Sequence, residues 1–463
     1  MRYVSTRGGV EPLSFSQAVM MGLATDGGLL LPESFPRIDG ERLKHWAGLS
    51  FQELAVEVML PYVAEDIGRE ELSGLVERSY TSFGHPEVTP VVEAGTHHIL
   101  ELFHGPTAAF KDVALQFLGN LFELLLERNG GRLNILGATS GDTGSAAIYG
   151  VRGKARIDIF ILHPHNRVSP IQERQMTTVL DENVHNIAIK GNFDDGQRIV
   201  KALFNDLEFK QAYSLGAVNS INWARILAQV VYYFYAWGRL TGGDATRKIS
   251  FSVPTGNFGD IFAGYVALRM GLPVERLILA TNRNDILSRF INSGVYRAQT
   301  VHHTISPSMD IQISSNFERY LYFLLDEDPA RVRELMEQMS REGKLEVPAE
   351  KQREVARIFL AQAVSEEETL AQIKTSYEAC GYILDPHSAV GVRAARDFPD
   401  AVCLATADPA KFGDAVKQAI GMQAPPPPSL RGLMERETRC ALLEADSQEI
   451  KGFITRTLAG KRV

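Results

Sequence analysis

From about residue 98 onward, short runs of β-branched and leucine-rich residues alternate with longer stretches whose apolar positions recur every three to four residues. That alternation predicts strands and helices taking turns along the chain, the pattern of parallel α/β architecture. Strands are expected at 98–103, 133–136, 157–162, 186–189, 249–253, 277–280 and 402–405, with helical periods between most of them. After Lys111, the residues Val113, Phe117, Leu121 and Leu125 fall four apart, so one helix face is apolar and suited to packing on a sheet. Ser169 followed by Pro170 reads as a helix cap with proline in the first turn. The stretch 226–237 is apolar on almost every side, contains Gln229, and is shorter than the roughly 20 residues of a membrane span, so it is expected as a buried core helix.

Outside this alternating region the pattern changes. Residues 1–85 open with turn-rich sequence and helical periods such as 51–60, and are expected as a smaller N-terminal domain. Residues 86–424 form the expected main body. The tail, 425–463, begins with four consecutive prolines, Pro425 to Pro428, which favour an extended spacer. It ends in an amphipathic helix with Ile450, Phe453, Ile454 and Thr457 on one side. A chain of 463 residues also exceeds what a single hydrophobic core supports, so division into domains is expected.

Composition narrows the function. With 45% hydrophobic and 22% charged residues the chain reads as an ordinary folded protein. A net charge of −8 offers no footprint for nucleic acid, and no segment predicts export or a membrane span. The three cysteines, Cys380, Cys403 and Cys440, have neither disulfide-framework nor zinc-site spacing, and a reducing cytoplasm is expected. The histidine pairs 97/98, 163/165 and 302/303 lack metal-site spacing, and no metal is expected.

Five segments carry candidate chemistry. His104-Gly105-Pro106-Thr107-Ala108-Ala109-Phe110-Lys111-Asp112 runs from a strand end through a turn to a helix start. A lysine there, among small and aromatic neighbours, is partly shielded from water, which favours the neutral amine and Schiff-base chemistry. The segment Thr255-Gly256-Asn257-Phe258-Gly259 lies between a strand and a helix, where backbone N–H groups and the helix dipole suit a phosphate. Ser140-Gly141-Asp142-Thr143-Gly144 is a third strand-to-helix turn, able to grip a carboxylate or phosphate, or simply to cap its helix. Asn222 and Arg225 stand at another helix start and offer an amide and a guanidinium. Thr406 follows the last expected strand, and its surroundings alone say little.

The nine residues from His104 to Asp112 resemble the lysine motif of the threonine synthase family. The Gly256 loop, the Ser140 turn, the Thr406 segment and the opening Tyr3-Val4-Ser5-Thr6-Arg7-Gly8 resemble that family too, so most of the chain is covered. The resemblance implies a fold type II pyridoxal-phosphate enzyme: an α/β catalytic body of two subdomains with parallel-type sheets, plus the smaller N-terminal domain. It implies pyridoxal 5′-phosphate attached to Lys111, its phosphate held by Gly256, Asn257, Phe258 and Gly259, and its ring nitrogen bonded by Thr406. Ser140, Asp142 and Thr143 are then expected beside the substrate, although many enzymes of this fold carry Asn where this chain has Asp142. Asn222 and Arg225 are expected on the substrate phosphate. The implied reaction converts O-phospho-L-homoserine and water to L-threonine and phosphate, the last step of threonine biosynthesis, through carbanions stabilised by the cofactor. Competing readings are a lyase that releases 2-oxobutyrate and a non-catalytic binding protein that keeps the fold. A monomer and a homodimer are both compatible with the sequence.

Overall fold

The computed structural model describes residues 1–139 and 141–459. They form two compact units, one made of Met1–Ala114 with Ser220–Pro425, the other of Leu115–Asn219 with Pro426–Val463.

The first unit is built on a sheet that contains, among the described residues, six strands. Their spatial order is Phe359–Ala363, Val274–Thr281, Ile249–Pro254, Val402–Ala405, His97–Glu101 and Val91–Ala94. The first five run parallel, and the last pairs antiparallel as an edge hairpin. Neighbouring parallel strands end on the same side of a sheet. The segments after Glu101, Pro254 and Ala405 are therefore delivered to one carboxyl edge, the usual place for ligands in α/β sheets.

Ile99, Ile278, Ala280 and Cys403 of the sheet pack with Ile373, Leu384, Ala389 and Val390 in one core cluster. The helix Trp223–Thr241 is buried from Trp223 through Gly238, as its nearly continuous apolar sequence requires. Among the described residues no helix is long and apolar enough to cross a membrane. The N-terminal helices Phe51–Val63 and Arg69–Tyr80 share this unit: Phe51 meets Tyr80 and Tyr235 edge-on, with ring centroids 5.1 and 5.4 Å apart.

In the second unit the strand order is Ala441–Glu444, Val184–Lys190, Ile157–Pro164, Leu133–Ala138 and Leu215–Gly216, with every pairing parallel. Ile157–Pro164 is buried at every position, which is what a strand covered on both faces demands of its sequence. The tail helix Ser447–Leu458 places Ile450 and Ile454 in the same core as Phe160, Leu162, Ile187 and Ile199. The strand at 441–444 is part of the tail as well, and the proline run continues into a short 3-10 turn at Pro428–Leu430.

All seven expected strands are present. Ser169 caps the helix Pro170–Thr177 by accepting from the Gln172 N–H. Val113, Phe117, Leu121 and Leu125 are all buried on the helix Lys111–Asn129.

Candidate active site

Three of the candidate segments meet at the carboxyl edge of the first unit. The loop before Lys111 is tied to the Thr406 loop through backbone: Phe110 N donates to Thr406 O at 2.8 Å, Asp408 N donates to Ala108 O at 3.1 Å, and Ala109 bridges Ala407. Lys111 therefore stands next to a residue bonded directly to Thr406. Its side chain is 8% exposed, with Nζ 5.0 Å from the Phe110 ring centroid and 3.5 Å from Ser308 Oγ.

Asp112 gives that loop its shape. Its carboxyl accepts from Thr107 N at 2.8 Å and from Thr107 Oγ1 at 2.7 Å, while Lys411 Nζ donates to Thr107 O at 2.9 Å. Burial pushes the Asp112 carboxyl up to about 6, against the opposing pull of the Thr107 bonds and of Lys411.

At Gly256 the backbone runs so close to Ser308 and Met309 that a Cβ would lie 3.0 Å from Ser308 O and 3.2 Å from Met309 Cα. A side chain at Gly256 would therefore have to push the 308–309 backbone aside by a few tenths of an ångström. Phe258 adopts a left-handed φ of 62° at the N-cap of the helix Gly259–Met270, whose start has no side-chain cap. Asp260, in that first turn, keeps its carboxyl on the Tyr232 and Tyr233 hydroxyls instead. A helix start with uncapped N–H groups, one turn from a glycine, is a donor set that fits a phosphate.

The Asn222 to Arg225 segment is joined to this loop by residues 315 and 316. Asn316 N donates to Asn257 O at 3.1 Å, and its Nδ2 donates to Ser220 O at 3.0 Å. Ser315 Oγ donates to Asn257 Oδ1 at 3.2 Å and lies 2.9 Å from Ser220 Oγ. Arg319, wholly buried, spans Leu30 O, Ile221 O and Asn316 Oδ1.

Asn222 is engaged structurally. Its Oδ1 accepts from Ala224 N at 3.1 Å as the cap of the helix Trp223–Thr241, and its Nδ2 donates to Val19 O at 2.9 Å. Arg225 differs: it is 4% exposed, its Nε and Nη1 have no hydrogen-bond partner among the described residues, and burial lowers its pKa to about 10. A buried guanidinium with two orphaned donors fits an anionic ligand.

In the second unit, the strand Leu133–Ala138 leads to the helix Asp142–Val151 through Gly141 at φ 143°. Thr139 Oγ1 accepts from Gly141 N and Gly144 N at 3.0 and 2.9 Å, and Gln172 Nε2 donates to Asp142 Oδ1 at 2.8 Å. Thr143 follows in the first helical turn. Ser140 lies outside the described residues.

Ser308, Asp385 and His387 were not singled out by sequence. Asp385-Pro386 carries the signal of a capped helix start with proline at its first position, and that signal points to structure rather than to a site.

A buried lysine, an uncapped helix start and a hydroxyl-bearing loop at the carboxyl edge of parallel strands define the class: the pyridoxal-phosphate-dependent enzymes of fold type II. The family model described as "Pyridoxal-phosphate dependent enzyme" matches residues 87–406. Those described as "Threonine synthase N terminus" and "Threonine synthase, C-terminal" match residues 2–80 and 388–454. The chain is 51% identical to the threonine synthase of Pseudomonas aeruginosa over 462 residues, covering 98% of each. It is 50% identical to that of Saccharomyces cerevisiae, covering 90% of this chain and 89% of the relative. The crystal structure of pyridoxal-phosphate-bound threonine synthase from Brucella melitensis superposes with a TM-score of 0.96 at 48% identity, over 99% of both chains. This chain belongs to the threonine synthase family.

Proposed function

We propose that the chain converts O-phospho-L-homoserine and water to L-threonine and inorganic phosphate, with pyridoxal 5′-phosphate held at the edge formed by Lys111, the Gly256 loop and Thr406. The observation that carries this reading is the buried Lys111 amine on a loop bridged to Thr406, in a chain about half identical to threonine synthases along its length. When bound, the cofactor supplies an electron sink for charge developed beside the substrate amine.

The residues of the chain supply the rest. Lys111 Nζ is the amine that would anchor the cofactor, and as a free base it would hold or return a proton at the substrate α-carbon. Phe258 and Gly259, at the start of the helix Gly259–Met270, direct backbone N–H groups at the cofactor phosphate, and Gly256 and Asn257 complete that loop. Thr406 offers its hydroxyl to the ring nitrogen. Arg225 supplies the cation for the substrate phosphate, which leaves as one Cβ–H bond and the Cγ–O bond break; Cγ then gains a proton, and the oxygen of water joins Cβ as that water gives up a proton. Asn222 serves this site by fixing the helix start that carries Arg225. Asp142 and Thr143 are proposed for the substrate carboxylate, supported by their place at the start of a helix that follows a strand, and Ser140 is proposed with them on the family resemblance. A cytoplasmic location is part of the proposal, supported by three free cysteines.

The test is to incubate purified protein, loaded with cofactor, with O-phosphohomoserine and to measure phosphate, threonine and 2-oxobutyrate together. Equal release of phosphate and threonine is expected. Phosphate accompanied by 2-oxobutyrate instead of threonine would replace this reading with that of an eliminating lyase.

A further inference from the structure

Asp385 caps the helix Pro386–Ala394, with its carboxylate accepting from His387 N at 2.9 Å and Ser388 N at 3.2 Å. Capping needs only those two backbone bonds, yet the same carboxylate holds two side chains as well. His387 Nδ1 lies 2.9 Å from Asp385 Oδ1, and the Ser388 hydroxyl donates to Asp385 Oδ2. All three residues are at most 3% exposed.

Each branch continues to the proposed site. Because a carboxylate only accepts, His387 Nδ1 carries the ring proton, which leaves Nε2 as an acceptor. Ser308 N donates to that Nε2 at 3.2 Å, and Ser308 Oγ stands 3.5 Å from Lys111 Nζ. Ser308 O is also the atom nearest to a Cβ placed on Gly256, and Met309 is anchored in the core. On the other branch, Ser388 Oγ accepts from Thr406 N at 3.0 Å. The His387 ring is seated edge-on against Phe412, with centroids 4.7 Å apart.

We propose that Asp385 and His387 are positioning residues that set Lys111, through Ser308, and Thr406, through Ser388, from a single buried carboxylate. One rigid helix cap thereby fixes the distance between the group that would anchor the cofactor and the group that would meet its ring nitrogen. This rests on the reading of Lys111 and Thr406 given above.

The experiment compares His387→Phe, His387→Gln, Ser308→Ala and the double variant His387→Phe/Ser308→Ala in the cofactor-loaded enzyme. Amide hydrogen exchange across residues 304–312 is measured in the cofactor-free chain. His387→Phe keeps the packing on Phe412 and loses the acceptor, so kcat should fall about tenfold or more while KM stays within about threefold, with exchange at 304–312 about tenfold faster. Glutamine offers an acceptor to Ser308 and a donor to Asp385, and should restore most of both. Since both single changes act through the same Lys111 contact, the double variant should lose no more than about twofold beyond Ser308→Ala.

Wild-type exchange and turnover in His387→Phe, additive losses in the double variant, or equal damage from phenylalanine and glutamine would each overturn the proposal. If His387→Phe does not fold, His387→Gln with Ser308→Ala decides: near-normal kcat in Ser308→Ala overturns it, and a tenfold loss with unchanged exchange supports it. The exchange readout is independent of the reaction. A wild-type enzyme that makes no threonine would overturn the functional reading and leave the exchange result standing.

Discussion

A Cβ added at Gly256 would lie 3.0 Å from Ser308 O, 3.1 Å from Ile311 Cδ1 and 3.2 Å from Met309 Cα. Two of those atoms are backbone, so relief in Gly256→Ala requires moving the 308–309 segment rather than rotating one side chain. That segment cannot retreat freely, because Ser308 N is bonded to His387 and Met309 is packed in the core. Inserting a methyl group into such a site costs about 1–3 kcal/mol. Without cofactor the loop can relax toward the phosphate position and shed part of that strain. Binding the phosphate forces it back, so the cost reappears in affinity, as a rise in cofactor Kd of about 5- to 150-fold. The assay is titration of the cofactor-free chain with pyridoxal phosphate, followed by its absorbance and by quenching of protein fluorescence, beside urea denaturation of the same sample. Gly40→Ala is the control: it opens the helix Gly40–Trp46, and its new Cβ would meet only Ala245 Cβ, at 3.6 Å. An unchanged Kd in Gly256→Ala, with stability lowered by the whole 1–3 kcal/mol, would refute the reasoning. It would assign the glycine to folding alone.

Lys111→Ala should abolish turnover and covalent retention of the cofactor; borohydride reduction and peptide mapping of the wild type should place the label at Lys111, and recovery at any other lysine would remove that assignment. Thr406→Ser should keep most activity while Thr406→Val loses about tenfold or more in kcat; equal rates and product ratios in both would take the hydroxyl out of the site. Burial pushes Asp260 up to about 6 from an ordinary 3.8, against the bonds from Tyr232 and Tyr233. Below pH 3.8 the carboxyl is protonated whether folded or unfolded, and between there and pH 6 only the folded chain keeps its proton, so stability falls as pH rises through that window. The fall attributable to this group is about 3 kcal/mol, and Asp260→Asn should flatten the urea-derived stability curve by that amount between pH 4 and 6; an unaltered slope counts against it. Ile454→Ala should destabilise the second unit by about 2–5 kcal/mol, read as a lower denaturation midpoint, and no loss would mean the tail helix contributes nothing to that core.

Local sequence was enough for elements whose hydrophobic pattern is complete in itself. The strand at 157–164 is apolar along its centre because both of its faces are covered, and the helix after Lys111 repeats an apolar residue every four positions because one face is. The Lys111 and Gly256 segments were legible for a similar reason: a lysine or a glycine pair at a strand end states its chemistry within a few residues. The strands at 91–94 and 359–363 were not legible. Both sit at the edges of the sheet, are short and only partly buried, and acquire their identity from a neighbour that sequence does not place beside them. The same limit governs the site. Asn222 and Arg225 look alike as polar residues at one helix start, yet partners divide them: the amide is engaged at both ends, and the guanidinium has two donors without a partner among the described residues. Ser308 and His387 are 79 residues apart, and neither belongs to a motif. Only the tertiary fold brings the histidine's free ring nitrogen to the serine's N–H and the serine's hydroxyl to Lys111, because a hydrogen bond depends on distance and direction in space, which separation along the chain does not encode.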